Sequence, residues 1–190
     1  MNPIVGEIKA NLQAYYKQAE TSAGVIERMK KELLPDLVSK RSELILSDLA
    51  AARYHVLDKI MDATRRGREQ AKQWGILNGA DLTDDAKILQ AGMTLTQDDF
   101  DNLCKKYKNN GSMSRLLGEY AEKQNSKNDP MLTLETKNLM TVDKKVDRWI
   151  SLEMSAKTIL AAIDGQGVAQ GVGDPIVSFS VENFGENVEV

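Results

Sequence analysis

The sequence predicts an all-α protein built on a long antiparallel helical hairpin, with a third long helix completing a bundle. Apolar residues recur at alternating three- and four-residue spacings along three long segments, which is the pattern of helices that pack along one face. Proline and glycine stand between the first segments, where these residues end helices. Aromatic residues make up only 5% of the 190 residues, so we expect a core of aliphatic side chains.

Residues 1–75 predict the hairpin. The apolar stripe of its first arm consists of Ile8, Leu12, Tyr15, Ala19, Ser22, Ile26, Met29 and Leu33. Pro35 ends that arm because it lacks a backbone donor and its ring collides with the preceding turn. The stripe of the second arm consists of Leu46, Leu49, Arg53, Val56, Ile60, Ala63 and Gly67. This arm ends at Trp74, before a glycine that suits a helix C-cap.

The rest of the helical part divides into an insert and a third long helix. Residues 76–130 predict an insert of short helices. The side chains that could cap the starts of these short helices are Thr83, Thr96 and Ser112. Residues 131–164 predict the third long helix, from about Leu134 to Ile163, and its heptad-like stripe indicates that it packs on the hairpin.

Residues 165–190 form a tail of different character. Four glycines within residues 165–173 predict a flexible linker. Residues 176–182 then alternate apolar and polar side chains, which is the period of one possible strand. An isolated strand is not stable, which leaves disorder, docking on a helical surface or pairing with another chain. We favour strand addition to a partner or neighbouring subunit. The side chains expected to contact that partner are Val177, Phe179 and Val181.

The sequence offers few groups for catalysis. It contains one cysteine, Cys104, and one histidine, His55, whereas zinc sites combine several such ligands. No phosphate loop, nucleophile elbow or zinc-protease motif is present. We therefore expect no enzyme activity, no catalytic residue, no metal and no cofactor. A metal-dependent enzyme is a rival hypothesis, although helix capping also explains its candidate ligands. Those candidates are Asp81, Asp84, Asp85, Asp98, Asp99 and Asp101.

The alternative function is that of a nucleic-acid-binding accessory protein. Arg65, Arg66 and Arg68 give the second arm a basic end that could contact phosphates. Acidic residues are interleaved with these arginines, and no aromatic stacking platform accompanies them. Residues 83–124 could also form a helix-turn-helix, but its second helix carries as many acidic as basic side chains. Nucleic acid is thus the less favoured partner.

Two segments carry a family resemblance. Residues 95–107 read LTQDDFDNLCKKY and residues 110–123 read NGSMSRLLGEYAEK. Together with the long charged hairpin, they resemble small helical head and structural proteins of tailed bacteriophages of Gram-positive hosts, over roughly residues 1–125. The resemblance implies a virion structural or assembly role, which carries over no catalytic residue.

Protein–protein contact is therefore the predicted mode of action, through self-association or within a viral assembly. No apolar run approaches the roughly 20 residues of a membrane span. The first residues also lack the basic and apolar regions of a secretory signal. We expect no membrane contact and a location in the cytoplasm, which for a phage protein means the host cytoplasm or the virion.

Overall fold

The computed structural model describes residues 2–127, 133–165 and 175–186. All the regular structure in these ranges is helical, which confirms the predicted all-α class. The α-helices are α1 Pro3–Glu32, α2 Pro35–Trp74, α3 Asp85–Gln90, α4 Gln97–Lys106, α5 Gly111–Asn125, α6 Val142–Gly165 and α7 Pro175–Glu182. A short 3-10 helix covers Gly79–Asp81. The chain divides into two compact units, one of residues 1–67 with 148–190 and one of residues 68–147.

Capping and proline set the ends of the hairpin helices. The Asn2 side chain accepts a hydrogen bond from the backbone N–H of Ile4 at 2.9 Å. Pro3 follows in the first turn, where its missing N–H costs no helical hydrogen bond. Pro35 plays the same part at the start of α2, so one proline both stops the first arm and begins the second. The predicted break at this residue is confirmed.

In the first unit, α6 lies against both arms of the hairpin. The Thr64 hydroxyl of α2 donates a hydrogen bond to Glu153 of α6 at 2.9 Å. Arg53, eleven residues earlier on α2, forms an ion pair with Asp164, which lies eleven residues later on α6. Helices α2 and α6 are therefore antiparallel. On α1, the Tyr15 hydroxyl donates to the same Asp164 carboxylate at 2.6 Å. These contacts give the predicted three-helix bundle.

The bundle core is aliphatic along most of its length, as its composition predicts. The buried side chains that α1 contributes are Ile4, Val5, Ile8, Leu12, Tyr15, Ala19, Ala23 and Ile26. Those of α2 within this unit include Leu49, Val56, Ile60, Ala63 and Thr64. From α6 come Trp149, Leu152, Ala156, Leu160 and Ile163. Gly67 permits a close approach here, because a Cβ atom at that position would overlap the Trp149 indole.

The third long helix begins later than predicted, at Val142 instead of Leu134. Thr141 ends the preceding loop, and its hydroxyl accepts a hydrogen bond from the backbone N–H of Lys144 at 3.2 Å. The Lys144 ammonium donates to the carbonyl oxygens of Lys137 and Leu139, each at 2.8 Å. These bonds give the loop carbonyls partners without a helix.

In the second unit, the short helices surround a separate core. Its buried members are Ala86, Leu89, Phe100, Cys104, Tyr107, Met113, Leu117, Tyr120, Ala121, Leu134 and Leu139. Thr96 and Asp99 form a capping box at the start of α4, which confirms Thr96 as a cap. The Tyr120 hydroxyl donates to the Met93 carbonyl at 2.6 Å and accepts from the Leu95 N–H, so it fixes the chain leading into α4.

Two other predicted caps are wrong. The Thr83 hydroxyl makes a hydrogen bond with the Tyr107 hydroxyl at 2.7 Å, and α3 has no side-chain cap. Helix α5 is capped by Asn110. The Ser112 hydroxyl instead accepts a hydrogen bond from the Asn78 N–H at 2.8 Å. Both hydroxyls therefore bond to residues of this unit that are distant in the sequence. A local capping pattern does not predict such contacts.

The tail forms a helix where the sequence predicted a possible strand. Residues 175–182 are α7, and the buried side chains of this segment, two on α7 and one in the turn after it, follow a 4, 3 spacing. Those buried side chains are Val177, Val181 and Phe184. Helix α7 packs against α1, and Gly185 adopts the left-handed φ of 73° beside Val5. The predicted linker over residues 165–173 lies, apart from its first residue, outside the described ranges.

Close packing at Gly67 predicts an unusual response to alanine. Ala is ordinarily about 1 kcal/mol better than Gly inside a helix, yet Gly67→Ala should destabilise the protein because its methyl group meets Trp149. Gly24→Ala is the matched control, since nothing stands within 4 Å of a Cβ atom at that helical position. Urea unfolding should show opposite signs for the two variants. A stabilised Gly67→Ala would show that the indole does not occupy this space.

The contacts among Tyr15, Arg53 and Asp164 predict that two substitutions destabilise the protein to different extents. Tyr15→Phe removes one hydrogen bond and should cost about 1 kcal/mol, because the carboxylate keeps its arginine. Asp164→Ala leaves both partners without the carboxylate and should cost about 2 kcal/mol, given the partial exposure of the pair. Asp58→Ala, at an exposed position of α2, should change the free energy of unfolding by less than about 0.5 kcal/mol. Equal effects of the first two variants would contradict this order.

Candidate functional site

The hairpin extends well beyond the end of the third helix. Asp164 is the penultimate residue of α6, and its partners Tyr15 and Arg53 mark that level on α1 and α2. Residues 16–32 of α1 and 35–52 of α2 continue past it, each for about 25 Å at 1.5 Å per residue. Along this stretch the two arms lack the α6 packing that covers them elsewhere in the unit.

Burial declines along this extension. Helix α1 keeps Ala19, Ala23 and Ile26 buried, whereas Leu49 is the buried hydrophobic residue of α2 between residues 35 and 52. Closer to the turn, the facing side chains are only half-buried. They are Met29, Leu33, Val38, Ser42 and Ile45. We call residues 24–50 the hairpin end.

Four leucines are exposed on the hairpin end. The exposed fractions are 72% for Leu34, 46% for Leu37, 67% for Leu44 and 43% for Leu46. Leu46 was predicted to line the seam, and this is wrong, because Ile45 and Leu49 take the more buried positions. Leu37 and Leu44 are seven residues apart and share one face of α2, whereas Leu46 points to the other side of that helix. Exposed large apolar side chains of this kind are typical of interaction sites.

Charges on the hairpin end are mixed and balanced. Its α1 part carries Glu27, Arg28, Lys30, Lys31 and Glu32, three basic and two acidic residues. Its α2 part carries Asp36, Lys40, Arg41, Glu43 and Asp48, two basic and three acidic residues. The two parts thus have net charges of +1 and −1, and the hairpin end is neutral overall. A neutral apolar surface favours contact with protein over contact with a polyanion.

The predicted partner-binding residues of the tail do not share one exposed face. Val177 and Val181 are buried, and Phe179 is 67% exposed on the opposite side of α7. The strand period predicted that all three point the same way, but a helix turns 100° per residue and separates positions two apart. Of the three, Phe179 alone is available for a partner.

The predicted phosphate contacts are engaged with carboxylates in part. The Arg66 guanidinium donates to both carboxylate oxygens of Glu7 at 2.8 Å and to Asp62 at 3.1 Å. The Arg65 guanidinium contacts Asp62 at 2.5 Å and, by its hydrogen bond, lowers the pKa of that carboxyl. Arg68 is half-buried. Phosphate binding at Arg66 would compete with a bidentate ion pair that the fold already contains.

The groups considered for catalysis have structural surroundings. His55 is exposed, and Cys104 is buried in the second core. Burial, together with the negative charge of Asp101, raises the pKa of the Cys104 thiol to about 11. Within residues 2–127, 133–165 and 175–186, no three His, Cys, Asp or Glu side chains are grouped as metal ligands. Asp85, for example, accepts from Lys106 and Tyr107, each at 2.7 Å.

An open cavity of about 620 Å³ lies in the second unit. Its lining includes Trp74, Asn78, Asp81, Asn109 and Asn110. The polar groups are largely used by the fold. The indole N–H donates to the Asn109 carbonyl at 3.0 Å, and the Asn110 amide donates to the Asp81 carbonyl at 2.7 Å. These contacts give the lining a structural role and leave few convergent groups for a ligand.

The buried thiol predicts low reactivity. Cys104 is a neutral thiol at pH 8, and access to it requires opening of the second core. An aromatic disulfide reagent should therefore modify it slowly in the native protein and rapidly in urea. Because the folded pKa lies above the unfolded value, stability should fall as pH rises from about 9 to about 11. A native thiol that reacts as fast as the unfolded one would contradict the burial described here.

Comparisons with protein-family models, curated proteins and solved structures gave no match to this chain. Among the described helices, none combines the length and apolar character needed to cross a membrane. The hairpin end is the candidate site because of its own chemistry. It is an extended surface whose exposed leucines are only partly covered by the rest of the fold.

Proposed function

We propose that this protein is a structural or assembly component that acts through protein–protein contacts, with the hairpin end as its main contact surface. The observation that carries this proposal is the exposure of four leucines, three on α2 and one in the turn that precedes it, at the end of a hairpin that continues past the three-helix bundle. Full burial of one leucine side chain contributes about 1.5–3 kcal/mol. A partner that covers this surface would recover much of that free energy.

The geometry of the hairpin end supports a binding role. Three of its four exposed leucines stand on α2, a regular helix that continues into the bundle without an intervening loop. The surface is therefore ordered before a partner binds, and binding loses little conformational entropy there. Helical faces of this kind bind other helices through side chains spaced three and four residues apart.

A phage-type virion is the setting that the resemblance of residues 95–123 supports. Small helical proteins of that kind act by contact within a larger assembly, and the exposed hairpin end fits such a role. The metal-dependent enzyme finds no support in the grouping of the described carboxylates. Nucleic-acid binding through Arg65, Arg66 and Arg68 is the alternative, and it is weaker because Asp62 and Glu7 engage the first two of these side chains.

Two leucines seven residues apart on α2 offer a direct test. The double variant Leu37→Glu/Leu44→Glu places two charges on one exposed helical face. The matched control is Met154→Glu, because Met154 is 64% exposed on α6 and lies outside the hairpin end. Each tagged protein would be captured from its native assembly after cross-linking, and the co-purified proteins would be quantified.

We expect the control to retain the partners of the unchanged protein and the double variant to lose them by about tenfold or more, which corresponds to about 1.4 kcal/mol. Circular dichroism melting curves should be similar for all three proteins, since every substituted side chain is exposed. Equal partner recovery by the double variant and the control would contradict the proposed contact surface. A separate measurement of salt-dependent DNA retention tests the nucleic-acid alternative.

A further inference from the structure

We propose that Asn78 is a site of spontaneous deamidation in the folded protein, and that the fold protects Asn110, the other asparagine that precedes a glycine. Both Asn-Gly pairs lie in the second unit, Asn78 with Gly79 between α2 and α3, and Asn110 with Gly111 at the start of α5. The feature that carries the inference is how firmly the fold holds each side-chain amide and the glycine after it. The proposed contact function does not depend on it.

A glycine after asparagine permits a reaction within the chain. The glycine backbone nitrogen, after losing its proton to a solvent base, attacks the side-chain carbonyl carbon and forms a cyclic imide. The bond from that carbon to the side-chain nitrogen breaks, and ammonia leaves with a proton taken from water. Water then opens the imide, which gives aspartate or, by cleavage at the backbone carbonyl, isoaspartate. Glycine favours the attack because no Cβ atom shields its nitrogen.

At Asn110, the fold holds each group that must move for this attack. The side-chain oxygen accepts a hydrogen bond from the Met113 N–H at 3.0 Å, and the side-chain nitrogen donates to the Asp81 carbonyl at 2.7 Å. The backbone carbonyl accepts a hydrogen bond within the first turn of α5 at 2.9 Å. Gly111 is buried, and a Cβ atom there would overlap the Trp74 carbonyl. Attack therefore requires the first turn of α5 to open.

Asn78 is held by fewer contacts. Its side-chain oxygen accepts a hydrogen bond from the Ala80 N–H at 3.1 Å, and its backbone carbonyl accepts one from the Asp81 N–H, also at 3.1 Å. Both bonds belong to the three-residue 3-10 helix, which has no buried residue. Among the residues that the structure describes, its side-chain nitrogen has no hydrogen-bond partner. Short 3-10 helices have weak hydrogen-bond geometry, so these contacts open easily.

The surroundings of Asn78 also leave room for the reaction. Asn78 and Gly79 are both exposed, and nothing stands within 4 Å of a Cβ atom at Gly79. The required rotations are about the Cα–C and Cα–Cβ bonds of Asn78, so its N–H can keep the hydrogen bond to Ser112. The glycine nitrogen therefore reaches the side-chain carbon by movement of an exposed segment, without opening of the buried core.

Deamidation would change both the charge and the backbone between α2 and α3. A carboxylate at residue 78 adds one negative charge to a chain whose net charge is −3. That carboxylate would join Asp81 in the lining of the open cavity of the second unit. Isoaspartate also carries the backbone through the former side chain, so the residue loses its place as the cap of the 3-10 helix. Stored protein should therefore contain charge variants that differ at Asn78.

The test is peptide mapping by mass spectrometry of the full chain, after incubation in mildly alkaline buffer with and without urea. Each deamidated peptide is heavier by about 1 Da, because a hydroxyl group replaces an amino group. In the folded protein, Asn78 should convert at least about tenfold faster than Asn110, since Asn110 reacts only from opened molecules. In urea the two rates should agree within about threefold, because each residue precedes a glycine.

Gly79→Ala is the matched variant, because its methyl group meets no atom of the fold. The methyl group shields the backbone nitrogen, so conversion of Asn78 should slow by about tenfold while that of Asn110 is unchanged. Circular dichroism melting curves identify a variant that keeps the fold. Equal conversion of the two asparagines in the folded protein overturns the inference, as does urea that accelerates both to the same extent. Undiminished conversion of Asn78 in Gly79→Ala overturns it as well, because the glycine nitrogen would then not be the attacking group.

Discussion

The carboxylate of Asp164 is the contact on which the arrangement of the first unit depends. It receives the Tyr15 hydroxyl from one arm of the hairpin and the Arg53 guanidinium from the other, at the last turn of α6. Burial, reinforced by the hydrogen bond to this carboxylate, raises the pKa of the Tyr15 phenol. The phenol therefore stays a neutral donor. A polar contact with so few possible partners specifies one alignment of three helices, whereas aliphatic side chains could slide past one another by a heptad.

This alignment determines which part of the hairpin is covered. With α6 ending at the level of Tyr15 and Arg53, three long helices pack together on one side of that level, and two long helices continue on the other. Three helices can surround a core, but two can bury only the strip where they touch. The exposure of Leu46, which lies one heptad before Arg53 on the face that α6 covers, is thus a consequence of where the third helix ends.

The sequence predicted the hairpin well because its signals are local. Heptad spacing and Pro35 depend on residues close together in the chain, and both gave the correct helices. The start of α6 was missed, since Leu139 continues the same apolar spacing although it belongs to a buried loop held by Lys144. In the tail, Val177 and Val181 fit an alternating and a helical pattern equally well, and only Phe184 extends the helical one.

The candidate site was harder to predict for a related reason. Leu46 and Leu49 both belong to the predicted apolar stripe, and their different exposure depends on which other helices lie beside α2. The ion pair of Arg66 with Glu7 likewise joins distant residues. Spacing within one segment cannot report such contacts, so the basic end appeared more accessible in the sequence than it is in the fold.

The pairing of Gly67 with Trp149 has a consequence for the divergence of this fold. Space for the indole exists only while residue 67 has no side chain, so a larger residue at 67 requires a smaller one at 149. Substitutions at the two positions should then be correlated among chains that share the bundle. Such covariation persists after overall identity has faded. A glycine late in the second long helix, facing a tryptophan early in the third, could therefore serve to recognise remote relatives.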